Sequence, residues 1–188
     1  MAIKIYVDQG HNPTGANTGA EGNGYKEQDI TYEVGQRLAT LLRRNGNFEV
    51  RLSRPTPQTV RGTSNASSLR ERVDEANSWG ADYFVSIHTN ASLSPSASGT
   101  EVLVYTSPSP AANLAGDILQ SLVDVTGLPD RGVKQRPGLY VLRKTQMPAV
   151  LVEMGFISNP GDAALMAGNP SLFATGIYNG ILDYLNLS

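Results

Sequence analysis

The chain has 188 residues, of which 40% are hydrophobic and 17% charged, a size and balance that suit one folded domain around one core. Fifteen Lys and Arg stand against 17 Asp and Glu, for a formal net charge of -2, which argues against the basic face that a nucleic-acid binder needs. There is no cysteine, so disulfides and thiolate metal sites are excluded and any metal must be held by histidine and carboxylate; no apolar run approaches membrane-spanning length.

Residues 3–7 read as a buried strand, followed by a Gly- and Asn-rich loop over 10–24. From 29 to 44 the residues Ile30, Val34, Leu38, Leu41 and Leu42 fall at helical spacing. Arg43 and Arg44 occupy the last turn of that helix, and Asn45-Gly46 stops it. Residues 48–52 read as a second strand and 55–67 as a polar loop. Ser68-Leu69-Arg70-Glu71 reads as a capping box that opens a helix ending near Trp79, with Gly80 as its stop. A strand over 83–87 follows, then a Ser/Pro loop over 93–99, a strand over 100–105 and a helix over 110–125 with Leu114, Ile118, Leu119 and Leu122 as its stripe. Residues 127–138 read as irregular, 139–142 as a short strand and 149–152 as another. Asn159-Pro160 and Asn169-Pro170 each read as an N-cap followed by proline at the first helical position. The last helix, over 170–185, is apolar at Phe173, Ile177, Ile181 and Tyr184. This order predicts one α/β domain spanning 1–188, a twisted, mostly parallel central sheet of about six strands with helices on both faces. The sequence shows no internal repeat, low-complexity tail or linker.

The two histidines of the chain both follow strand-like runs. Val7 leads through Asp8-Gln9-Gly10 into His11, and Tyr83-Phe84-Val85-Ser86-Ile87 leads into His88. A third run, Ala149-Val150-Leu151-Val152, leads into Glu153. In open α/β sheets the ligand crevice lies beyond the carboxyl ends of parallel strands, so these residues converge if their strands are parallel neighbours. A catalytic zinc takes three protein ligands and leaves a position open for water. Two imidazoles then need an oxygen partner, and Glu27, at the far end of the loop that His11 starts, is the best placed. Asp8 is so close to His11 that it suits an orienting role, and Glu21, in mid-loop, stays open as an alternative ligand. Taken singly, a histidine after a strand is more often an ordinary loop residue, and Glu27 alone reads as an acid favoured by the helix dipole. Glu153 differs, because Val152 and Met154-Gly155-Phe156 flank it and a carboxylate in apolar surroundings is costly unless paired or coordinating. Beside a metal but not bound to it, such a carboxylate takes a proton from water and passes it to a leaving amine. The 10–24 loop lacks the lysine of a P-loop and the Gly-x-Gly-x-x-Gly order, which argues against a nucleotide site.

Four segments in order, Asp8-Gln9-Gly10-His11, Lys26-Glu27-Gln28-Asp29, Ser86-Ile87-His88-Thr89-Asn90-Ala91 and Val152-Glu153-Met154-Gly155-Phe156-Ile157-Ser158-Asn159, resemble the zinc-dependent N-acetylmuramoyl-L-alanine amidases of the Amidase_3 type. The likeness covers nearly the whole chain. Arg72 and Asn77 ahead of Gly80-Ala81-Asp82 add to it, as does Gly138-Leu139-Tyr140-Val141-Leu142-Arg143 ahead of Pro148-Ala149. The resemblance implies one zinc ion held by His11, Glu27 and His88, with Glu153 as the catalytic general base. It implies hydrolysis, by zinc-activated water, of the amide between N-acetylmuramic acid and L-alanine in peptidoglycan, and a substrate-orienting role for Asn90. The chain departs from the family at Gln9-Gly10-His11-Asn12-Pro13, where Pro-Gly-His-Gly-Gly is usual. The 93–99 loop is too short for the inhibitory insertion that some relatives carry, and no wall-binding repeat is visible.

A competing reading is a zinc carboxypeptidase or endopeptidase of the stem peptides, with the same metal and base and a cation for a terminal carboxylate; Arg72, Arg131, Arg136 and Arg143 are available for that. A non-catalytic wall-binding module predicts loss of a ligand or of the base, and all four residues are present. The expected partner is peptidoglycan, with no nucleic acid and no membrane span, and the expected state is a monomer. The N-terminus enters a strand at once with no signal-peptide pattern. The expectation is therefore an enzyme that acts at the bacterial cell wall by an export route the sequence does not reveal, an endolysin or mother-cell hydrolase, or else the trimmed catalytic part of a larger protein.

Overall fold

The computed structural model describes residues 2–187; Met1 and Ser188, the ends of the expected domain, lie outside the described residues. In chain order the elements are β1 (Ile3–Gln9), β2 (Glu21–Gly22), β3 (Tyr25–Lys26), α1 (Glu27–Asn45), β4 (Phe48–Leu52), α2 (Asn65–Trp79), β5 (Tyr83–Asn90), β6 (Thr100–Val104), α3 (Pro110–Thr126), β7 (Asp130–Gln135), α4 (Tyr140–Lys144), β8 (Ala149–Phe156), α5 (Pro160–Gly168) and α6 (Pro170–Leu185). Six strands form one sheet in the order β4-β1-β5-β8-β6-β7, and β2 and β3 form a small hairpin inside the first loop. Strands β4, β1, β5 and β8 are parallel. Strand β6 runs against β8, and β7 runs with β6.

Alternation along the strands explains the two cores. Ile5, Val7, Val85, Ile87, Val150 and Val152 face one side, under the apolar stripes of α1, α3 and α6. Tyr6, Phe84, Leu103 and Leu151 face the other, under α2 and α4. A strand covered on both faces reads as a continuous apolar run, which is why the central strands are legible in the sequence. The α/β sheet with helices on both faces is the architecture expected. Its topology also sets the site: β1, β5 and β8 are adjacent and parallel, so their carboxyl ends share one edge. Because β6 is antiparallel to β8, its first residues, Thr100 and Glu101, lie at that same edge.

Four local expectations need correction. Residues 127–138 are not irregular throughout, since they contain β7; as an outer strand carrying Arg131, Gly132 and Lys134 it lacks the apolar alternation that announces a strand, as edge strands often do. Residues 139–142 are not a strand but open α4, and short apolar runs do not by themselves distinguish the two. Helix α2 is capped by Ser64, whose side chain and that of Ser67 complete the capping box, four residues ahead of Ser68. Ser68 is instead buried, its hydroxyl accepting from Asn12 and Asn17 at 3.4 and 3.0 Å, while Glu71 accepts from the Gly62 amide at 2.8 Å. Asn159 caps α5 as expected, accepting from the Asp162 amide at 3.0 Å; Asn169 stands before Pro170 but makes no side-chain cap.

Candidate metal centre

The segment after β1 is held in place before it reaches His11. The Gly10 amide continues the ladder to the Ile87 carbonyl at 3.0 Å, and a Cβ on Gly10 would fall 2.5 Å from His88 Cε1, so only glycine allows the two chains this close. His11 itself has a left-handed backbone, φ 69°, an uncommon conformation for a residue with a side chain that is tolerated where surroundings enforce it. Arg72 does the enforcing. Fully buried on α2, it pairs with Asp8 at 2.7 Å and donates to the carbonyls of Gln9 and His11 at 2.6 and 2.8 Å and to Asn12 Oδ1 at 3.1 Å. Burial would raise the Asp8 carboxyl, but the Arg72 guanidinium, by charge and hydrogen bond, holds it below its ordinary value with help from His88 and Ser86. Asp8 hydrogen-bonds Arg72 and Ser86 rather than either imidazole, so it bears on the His11 loop only through Arg72.

Glu27, the first residue of α1, is almost wholly buried and lies between the two imidazoles. Its Oε2 is 3.2 Å from His11 Nε2 and its Oε1 is 3.0 Å from His88 Nδ1. Two backbone amides also donate to it, Ala20 to Oε2 and Thr89 to Oε1, each at 2.9 Å. Burial pushes this carboxyl up, but hydrogen bonds to His11 and His88 and their charge more than offset that and hold it well below the carboxylate range. The rings meet edge to face, centroids 4.9 Å apart, and the other nitrogen of His11 faces the carbonyl and side-chain oxygens of Asn17 at 3.3 and 3.2 Å. One ligand atom from each of His11, Glu27 and His88 lies within 4.8 Å of the others. Two imidazoles and one carboxylate, with a neighbour fixing the orientation of one ring, suit zinc. The imidazole side chains remain 20% and 18% exposed, so the cluster opens to solvent.

Glu153 stands in β8 in register with His88 on one side and Glu101 on the other. Its Oε2 is shut off from solvent and has no hydrogen-bond partner among the described residues. Burial first, then the negative charges of Glu27 and Glu101, push its carboxyl up to about 8. His88 and Glu153 lie inside strands that run on to Asn90 and Phe156, rather than past strand ends as the sequence suggested. Glu21 is exposed and 3.7 Å from Lys26 in the small hairpin, outside the cluster. Asn90 donates its amide to Glu101 at 3.1 Å, next to the cluster. Asn77 binds Lys144 and Gln146, joining α2 to the segment after α4, and has no part in the site. The sequence reading missed Asn17 and Glu101. Asn17 sits in an unpatterned loop. Glu101 interrupts the apolar run 100–104 as Glu153 interrupts 149–156, and that shared irregularity was the available signal.

A family model described as N-acetylmuramoyl-L-alanine amidase matches residues 5–183, and the chain belongs to that family. It is 38% identical over 190 residues to the N-acetylmuramoyl-L-alanine amidase CwlM of Bacillus licheniformis, covering 99% of this chain and 70% of that protein. It is 33% identical over 195 residues to an endolysin of Bacillus phage SPP1, covering 100% of this chain and 68% of the endolysin. Among solved structures, the catalytic domain of the amidase CwlV from Bacillus (Paenibacillus) polymyxa var. colistinus superposes with a TM-score of 0.85 at 32% identity, covering 99% of each chain. An N-acetylmuramoyl-L-alanine amidase from Clostridium difficile 630 gives 0.87 at 29% identity, covering 98% of this chain and 97% of that one.

Proposed function

We propose that this chain is a zinc-dependent peptidoglycan amidase in which His11, Glu27 and His88 hold one zinc ion and Glu153 is the catalytic carboxylate. The bond cleaved is the amide between N-acetylmuramic acid and L-alanine. One observation carries the reading: three donors gathered within 4.8 Å stand beside a carboxylate whose inner oxygen has no hydrogen-bond partner among the described residues. A buried carboxylate is retained in that state at a cost in stability, which a role in proton transfer explains. The zinc ion, when bound, supplies a Lewis acid that polarises the scissile carbonyl and acidifies water.

The chain's own residues do the remaining work. The Ala20 and Thr89 amides both donate to Glu27 and help to hold it as a carboxylate, the form that a cation needs. Arg72 and Asp8 fix the backbone that presents His11. Glu153 takes a proton from the attacking water and returns it to the departing alanine nitrogen, so the leaving group departs as an amine and the carboxylate is restored. The proposal treats residues 1–188 as one catalytic domain that works on the cell wall as a monomer. No helix among the described residues is long and apolar enough to cross a membrane. Digestion of isolated cell walls by the zinc-loaded protein tests the reading. New N-terminal L-alanine with free muramic lactyl carboxyl is expected; release of D-alanine without new N-terminal L-alanine contradicts the amidase and favours the peptidase.

A further inference from the structure

The row of charged residues across the sheet continues past Glu153. Glu101, with only 7% of its side chain exposed, contacts Asn90 Nδ2 at 3.1 Å, the Lys134 ammonium, and Arg131 Nε at 3.7 Å. Both cations come from β7, the next strand out, and their side chains are 38% (Arg131) and 33% (Lys134) exposed. Glu101 is therefore matched by two cations, while a second buried carboxylate beside Arg131, that of Asp162, is satisfied by the Ser98 hydroxyl and the Gly99 and Phe156 amides. Asp130, also on β7, turns its carboxylate to the Gly132 amide at 2.8 Å. The Arg131 guanidinium lies over the Phe156 ring at 4.9 Å and donates to the Ser98 carbonyl at 3.3 Å, which fixes its plane. The other arginines considered for a carboxylate are elsewhere: Arg72 is buried against Asp8, Arg136 follows the far end of β7, and Arg143 lines a hollow with Tyr105 and Ala149 at the opposite edge of the sheet.

Building on the amidase reading, we propose that Arg131 and Lys134 form a subsite for a free carboxylate of the stem peptide, with Glu101 and Asn90 holding the two cations in place. Neighbouring strands are about 4.8 Å apart, so β7 lies about 10 Å from the strand that carries Glu153. An extended peptide covers about 3.3–3.6 Å per residue. A stem peptide leaving the scissile amide across β8, β6 and β7 therefore brings its second or third residue over the cations. Their partial exposure lets a carboxylate reach them, and the buried Glu101 orders both long side chains beforehand, which lowers the entropy lost on binding.

The test uses the zinc-loaded chain and synthetic N-acetylmuramoyl peptides in which the carboxylate of the second residue, or in another arm of the third, is either free or a carboxamide. In one arm the wild type turns over the free acid with a kcat/KM roughly two- to fivefold higher, the scale of one partly exposed ion pair, and the difference lies in KM. Arg131→Gln and Lys134→Gln each bring kcat/KM for the free acid down towards that for the carboxamide, so that the ratio of the two approaches one, and Lys134→Arg restores the ratio. Product peptides bound to the metal-free protein show the same discrimination by calorimetry. Lys134→Gln strips a partner from a buried carboxylate, so thermal unfolding is followed in parallel; Arg131→Gln, farther from Glu101, carries the same test if the first variant unfolds. Equal wild-type kcat/KM for acid and amide in both arms overturns the subsite alone, as does equal loss on both by a variant that keeps its Tm. Wild type that cleaves none of these substrates overturns the amidase reading and the subsite with it.

Discussion

Glu153 combines a register position between His88 and Glu101 with an inner oxygen that no group among the described residues satisfies. Replacement by the isosteric amide separates its chemistry from its packing: Glu153→Gln should lower turnover by about 10²- to 10⁴-fold, the usual weight of a general base, while zinc content stays as in the parent. Parent-like turnover in that variant would refute the assigned base. The same residue predicts a pH effect on the metal-free protein. A carboxyl whose folded value is raised from 4.5 to about 8 contributes stability that is full below 4.5 and lost as pH climbs through 8. Metal-free parent should therefore lose ground to metal-free Glu153→Gln as pH rises across that window, read as a growing difference in Tm. A difference that stays flat would contradict the assignment. Asp8 and Glu27 have the opposite sign, because their carboxyls are lowered; their contribution is present above the ordinary values of 3.8 and 4.5 and disappears as pH falls below them.

The loop between β1 and α1 is organised by α2 rather than by its own sequence. Arg72→Met would leave Asp8 buried without its partner, and breaking such a pair costs about 3–5 kcal/mol. Denaturant unfolding should show that loss, and zinc affinity should fall with it because the His11 carbonyl loses its donor. The start of α2 gives a further check. Ser64→Ala should cost about 1 kcal/mol as a lost cap. Ser68→Ala should instead disturb the loop, since Asn12 and Asn17 both donate to its hydroxyl; an effect of Ser68→Ala confined to helix stability, with zinc affinity intact, would contradict this division. Two overlapping serine patterns made the cap ambiguous in the sequence, and only the tertiary hydrogen bonds separate them. Strand β7 and helix α4 were illegible for a different reason: α4 has only five residues, and β7, an outer strand, lacks the continuous apolar run that burial on both faces gives β1, β5 and β8.

At the scale of the whole molecule, one sheet carries the site from end to end. The order β1-β5-β8 brings His11, His88 and Glu153 to one edge, and the reversal of β6 adds Glu101 to it. The first three were legible because an ionisable residue following a buried strand stands out, and Glu27 because the loop from His11 ends there. The sequence marked Arg72 without its part in the site, which is to hold the Asp8 carboxylate and the His11 carbonyl, because those contacts depend on helix placement rather than on neighbours in the chain. The protein as a whole behaves as a scaffold whose two cores keep residues from β1, α1, α2, β5, β6 and β8 in fixed register at a solvent-open edge.

Bound zinc in the parent and two variants, measured after saturation and removal of excess metal, decides the matter most directly. One ion per chain is predicted in the parent and in Glu153→Gln, and none in Glu27→Ala. A parent that retains no zinc, or a Glu27→Ala variant that folds and retains as much as the parent, would contradict the proposed centre.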